Sequence, residues 1–223
     1  MRQIRYRKKK NELAIKLQKD TAQLRNEVEE LEQRRRTIIT AAPTSKGVWE
    51  VAFQYFQVFR YGVPESLLRT PTDASSAQLN FLLSTMTDDV VFNLYNGVEA
   101  IIQIYKKQTY WLKNFQLELE GLVKSPSTAL VASTATTFII TERTLHKAFP
   151  GVLKTNVANK LLGQRIICRG RTCFEWDTAV GRVSRVTTQS DLLTPMLRLL
   201  GNLEDTSLVF SEGLISPDFQ LDA

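Results

Sequence analysis

The chain has 223 residues, 29 Lys+Arg against 23 Asp+Glu, two cysteines and one histidine. A 43% hydrophobic share suits one good-sized domain with an appendage and excludes wholesale disorder. Two cysteines and one histidine supply neither a disulfide scaffold nor zinc spacing, and no apolar run is long enough for a bilayer, so no metal, cofactor or membrane partner is expected.

The charge is concentrated at the start. Residues 1–38 hold 12 Lys+Arg and 6 Asp+Glu, which accounts for the whole net +6 and leaves the remainder neutral. Arg2, Arg5, Arg7, Lys8, Lys9 and Lys10 lie within the first ten positions, without the apolar core of a signal peptide. A basic head on a neutral body is the footprint of an arm for a polyanion, above all nucleic acid. A solvated helix or a targeting tail is the plainer alternative.

Leu17, Leu24, Leu31 and Ile38 then recur every seven residues, the d positions of a coiled coil, with Ala14, Thr21, Val28 and Arg35 at a. Such a repeat lines one seam that only a partner helix can bury. No Gly or Pro interrupts residues 1–42. The dimerisation set is Ala14, Leu17, Thr21, Leu24, Val28, Leu31 and Ile38. Thr21 and Arg35 weaken the seam, and the pairs Asp20–Arg25, Leu13–Gln18 and Glu27–Glu32 are attractive, neutral and repulsive in a parallel homodimer. The zipper is therefore expected to be short and marginal.

Arg7 stands ten residues before Leu17, and Arg2-Gln3-Ile4-Arg5-Tyr6-Arg7-Lys8-Lys9-Lys10 resembles the basic region of bZIP transcription factors. Gln3, Arg5, Tyr6 and Arg7 are similar to the Q-x-R-Y-R form of its oomycete members. The resemblance implies a nuclear protein with double-stranded DNA as partner, bound as a homodimer or a heterodimer with another bZIP. The DNA-binding set is Arg2, Gln3, Arg5, Tyr6, Arg7, Lys8, Lys9 and Lys10. Arg2, Gln3, Tyr6 and Arg7 take groove-facing positions, and Lys8, Lys9 and Lys10 reach phosphates. The family's Asn position, eight before Arg7, falls before Met1. Either a late start or a truncated partner with weakened base readout is expected.

A linker is read at 40–46, so the bZIP-like helix is assigned to 1–39. Val48, Ala52, Phe56 and Phe59, with Trp49, Phe53 and Tyr55 beside them, predict an aromatic-faced helix. Leu79, Leu82 and Leu83 predict a second helix, and Val90 to Asn93 a strand. Asn96-Gly97-Val98-Glu99 reads as a capping box opening a helix along Ile101, Ile104, Tyr105 and Leu112. Period-two patterns then predict strands at Phe115–Leu119 with a bulge at Gly121, at Ala129–Ile140, at Ile166–Trp176 and through Val183 and Val186. Thr194 reads as the cap, and Pro195 as the first residue, of a final helical turn.

This order, with the phrases Met86-Thr87-Asp88-Asp89-Val90-Val91-Phe92-Asn93 and Gln116-Leu117-Glu118-Leu119-Glu120-Gly121, resembles the SnoaL-like branch of the NTF2-like superfamily. The fold implied is α+β: a long N-terminal helix followed by a cone of helices around a curved antiparallel sheet. The domain is assigned to 47–205, with a tail at 206–223. A cone of this kind can hold a small apolar ligand or reinforce dimerisation.

No catalytic residue is expected. His146 reads as an exposed turn, Asp88 and Asp89 as turn or cap residues, Tyr105, Tyr110 and Trp111 as core, and Cys168 as a buried thiol. Three readings follow. One is a dimeric DNA-binding regulator whose cone dimerises or senses a ligand. Another is a truncated partner that captures relatives. The third is a cyclase- or isomerase-type enzyme, which requires an Asp, Glu or His pointing into the cone.

Overall fold

The computed structural model describes residues 16–31, 33–34, 47–64, 77–125 and 129–221. The chain divides into two compact units, Met1–Ala42 and Pro43–Ala223. The first is described through one helix, α1, covering residues 16–31 and 33–34.

The second unit opens with α2 (Val48–Val58) and α3 (Ala77–Thr85), followed by β1 (Met86–Phe92), β2 (Tyr95–Asn96) and α4 (Val98–Trp111). The strands β3 (Lys113–Lys124) and β4 (Leu130–Ile139) lead to two short helices, α5 (Glu142–Ala148) and α6 (Asn156–Leu161). Then come β5 (Arg165–Asp177), β6 (Arg182–Asp191), α7 (Leu193–Leu200) and α8 (Leu203–Ser211). The strands form a six-stranded sheet in the order β2-β1-β6-β5-β4-β3. From β3 to β6 the pairing is antiparallel, and β1 joins β6 in parallel. The class is α+β, a curved sheet with helices packed on it, and the bulge expected at Gly121 sits in β3.

Period-two burial explains the sheet. In β5, Ile166, Cys168, Thr172 and Phe174 are buried while Arg165, Ile167, Arg169 and Arg171 face out. On α2, Val51, Ala52, Tyr55 and Phe56 are buried at helical spacing, and the ring of Tyr55 lies 5.3 Å from that of Phe174. Phe59 stacks on Tyr105 of α4 at 4.3 Å, so an aromatic cluster pins both helices to the sheet. Arg182, 2% exposed, donates from Nη1 to the carbonyls of Leu83 and Met86 at 2.6 and 3.2 Å, closing the C-terminus of α3.

Several local expectations are corrected. The N-cap of α4 is Gly97 at φ +87° with no side-chain cap bond, so the capping box is absent; a glycine-favoured backbone replaces it. Asp88 and Asp89 lie within β1 as exposed strand residues. Helix α7 begins at Leu193, because the Asp191 carboxylate accepts from the Thr194 amide at 2.9 Å; Thr194 is not the cap and Pro195 sits inside the first turn. The helices α5 and α6 were not expected. They are too short for an apolar stripe, and α5 uses Thr144 in place of Glu or Gln in a capping box with Thr141. The boundary at 205 cuts α8, and the segment expected as a tail is built into the domain. Val209, Ile215, Phe219 and Leu221 are buried, and Ile215 bridges Leu221.

Candidate functional site

The expected DNA-binding residues Arg2, Gln3, Arg5, Tyr6, Arg7, Lys8, Lys9 and Lys10 lie outside the described residues, as do Ala14 and Ile38. The described part of the seam is a helix with its apolar side unburied. Leu17, Leu24, Val28 and Leu31 are 57, 61, 54 and 56% exposed. Four large apolar side chains on one face at heptad spacing are more than scattered surface residues. Thr21, in the same seam, turns its hydroxyl onto the Leu17 carbonyl at 2.6 Å. Glu30 and Arg34 pair at 2.9 Å, an exposed i,i+4 contact worth only about 0.3–0.5 kcal/mol. On the outer sheet face Ile167 is 49% exposed between Arg165 and Arg169.

The inner face of the sheet carries a second feature. Thr134 and Thr136 of β4, Thr172 of β5, and Thr188 and Ser190 of β6 line one chamber, roofed by Tyr105 and Gln108 of α4. Register aligns them: Thr134 faces Gly170, Gly170 faces Ser190, and Thr172 faces Thr188. Gly170 is required there. A Cβ on it would stand 2.2 Å from Ser190 Oγ and 2.3 Å from the Gln189 carbonyl.

The chamber holds only about 30 Å³, room for about two waters. The chain's own C-terminal segment closes it. Phe219, Gln220 and Leu221 line the mouth, and Phe219 stacks on Phe138 at 5.7 Å. The Gln220 carboxamide accepts from Asn93 Nδ2 and donates to the Thr188 carbonyl at 2.7 Å. Tyr95 donates to the Leu221 carbonyl at 3.1 Å, and the Ser190 and Leu192 amides donate to the Asp218 and Pro217 carbonyls at 3.2 and 2.9 Å. Asn93, at φ +52°, completes the clamp by accepting from the Thr188 amide at 2.7 Å.

The lining offers hydroxyls, carboxamides and aromatic rings, and among the described residues none that lines it carries a carboxylate, imidazole or amine. It can hold a polar molecule by hydrogen bonds. Burial raises the Tyr105 phenol, keeping it a neutral donor, against the bond to Tyr55 that lowers it. His146 is exposed as expected but lies on α5, not in a turn. Tyr110 is not core: it is 44% exposed, with the Arg143 guanidinium 4.8 Å over its ring. Trp111 is half-buried, and Tyr105 and Cys168 are buried as expected. Sequence reasoning missed the hydroxyl cluster and the closing segment. The signal for the cluster was Thr and Ser on inward positions of three successive strands.

Residues 49–111 match the family described as BZIP transcription factor 1 C-terminal domain. The stretch runs from α2 to the last residue of α4. No curated protein matches the chain. Among solved structures, the chain is similar to an NTF2-like protein of unknown function from Exiguobacterium sp. 255-15, at 15% identity over 64% of this chain and 98% of that one, TM-score 0.42. It is similar to TsrD from Streptomyces laurentii, at 16% identity over 69% and 97%, TM-score 0.44. It is also similar to a SnoaL-like polyketide cyclase from Agrobacterium tumefaciens, at 15% identity over 70% and 99%, TM-score 0.47.

Proposed function

We propose that this chain is a nuclear transcription regulator of the bZIP type that binds duplex DNA as a homodimer or with another bZIP partner. The observation that carries the reading is the unburied Leu17–Leu24–Val28–Leu31 seam, in phase with the basic run, in a chain whose residues 49–111 match a bZIP C-terminal domain. Pairing two seams juxtaposes two basic segments. Arg7 then reads guanine while Lys8, Lys9 and Lys10 neutralise phosphate. The α+β domain supports dimerisation, with Ile167 on its outer face as one contact, or senses a ligand in its chamber.

A gel shift with the full chain on a random duplex at several salt concentrations tests this. Six or more phosphate contacts make affinity fall by about 10³-fold or more between 50 and 200 mM salt. Arg7→Ala should flatten preference among selected sequences, whereas Lys9→Ala should weaken all duplexes alike. Absence of salt-sensitive binding would refute the reading.

A further inference from the structure

Thr134, Thr136, Thr172 and Ser190 are each more than nine-tenths buried, yet among the described residues none of their hydroxyls bonds to another protein group. All four open on the chamber. Their oxygens are open to the chamber rather than sealed in packed protein, so the chamber's contents are what they can bond to. Small-molecule sites occupy roughly 300–1,000 Å³, and the chamber's 30 Å³ falls an order of magnitude short. Phe219, Gln220 and Leu221 occupy its mouth.

We propose that the segment Ser216–Leu221 is a displaceable gate, and that the chamber beneath it takes a small ring compound bearing amide, carbonyl or hydroxyl groups. The segment shows the chemistry of what replaces it. Phe219 supplies a ring stacked on Phe138, and Gln220 supplies a carboxamide that both accepts and donates. Its polar attachments are hydrogen bonds that water or a ligand can take over, and its apolar ones are the stack of Phe219 on Phe138 and the buried Leu221. Phe219 stands at φ +61°, disfavoured for a bulky residue, so opening releases strain. Ligand binding to a chamber closed most of the time is weakened by the fraction of time it is open. This inference rests on the ligand-sensing part of the proposed function and not on DNA binding.

The test uses the full chain and 4-hydroxybenzamide, which joins a ring to an amide and a hydroxyl. Hydrogen exchange is measured on wild type, and binding on wild type, Gln220→Ala, and Gln220→Ala combined with Thr134→Val and Thr172→Val. The amides of Leu192, Phe219 and Gln220, which bond only to residues 216–217, should exchange at least tenfold faster than those of β5. Gln220→Ala should bind the probe at least tenfold more tightly than wild type, and the added valines should remove that gain. If Gln220→Ala does not fold, Tyr95→Phe, which removes only the bond to the Leu221 carbonyl, takes its place. Amides of Leu192, Phe219 and Gln220 as protected as those of β5, an unimproved affinity, or a gain that survives the valines would overturn the proposal. Equal tight binding by wild type and Gln220→Ala would overturn the gate and leave ligand sensing standing, whereas no binding by any form would overturn both.

Discussion

The phenol oxygens of Tyr55 on α2 and Tyr105 on α4 lie 2.9 Å apart inside the core, with both rings at most 5% exposed. This bond ties the aromatic cluster of α2 to the helix that roofs the chamber. Replacing Tyr55 by Phe removes it and leaves the buried Tyr105 hydroxyl without this partner. The expected loss is about 1–2 kcal/mol, read by urea denaturation at pH 7.

The same pair makes stability fall at high pH. Burial, and then the charge and hydrogen bond of Tyr105, hold the Tyr55 phenol well above its ordinary value; burial raises Tyr105 as well. The folded state keeps protons that the unfolded chain releases near pH 10. The stabilisation is therefore complete below about pH 10 and is lost as pH rises through the folded values. Denaturation midpoints between pH 9 and 11 should drop more steeply in wild type than in a Tyr55→Phe, Tyr105→Phe double variant.

The two cysteines should differ in reactivity. Burial, with a smaller effect of the Asp191 charge, pushes the Cys168 thiol up to about 12, and Cys168 is fully buried. Cys173 is only half-buried, and partial burial, then the Glu175 charge, raise its thiol. Iodoacetamide at pH 8 should label the folded chain once, at Cys173, and label Cys168 only in denaturant.

Gly170→Ala should destabilise the sheet by about 1–3 kcal/mol or more. Its methyl would meet the backbone of Gln189 and Ser190, which cannot rotate away. Thermal unfolding monitored by circular dichroism measures the effect. An unchanged midpoint would show that β5 and β6 are more loosely apposed than the register indicates.

The strand faces were legible because alternation is local: the inward set Ile166, Cys168, Thr172 and Phe174 can be read from β5 alone. The same reading places Thr134, Thr136 and Thr172 on inward faces, so three of the chamber's five Thr and Ser residues were legible from alternation. Its closure was not. The Asn93–Gln220 bond joins residues 127 positions apart, and residues 213–221 have no periodicity to announce a buried segment. The parallel pairing of β1 with β6 was hidden for the same reason. The capping errors have another cause: Gly97 and Asp191 do by backbone angle and by register what a neighbouring Asn or Thr would do elsewhere.

The proposed DNA binding requires two chains to share one duplex through the α1 seam. Sedimentation velocity of the full chain with a fluorescent duplex, at low salt and observed at the dye, counts the chains on the DNA. Wild type should give two chains per duplex, and Leu24→Glu, which charges the middle of the seam, should lower affinity at least tenfold and leave no two-chain species. One chain per duplex, or a Leu24→Glu variant that binds in pairs as tightly as wild type, would contradict the account.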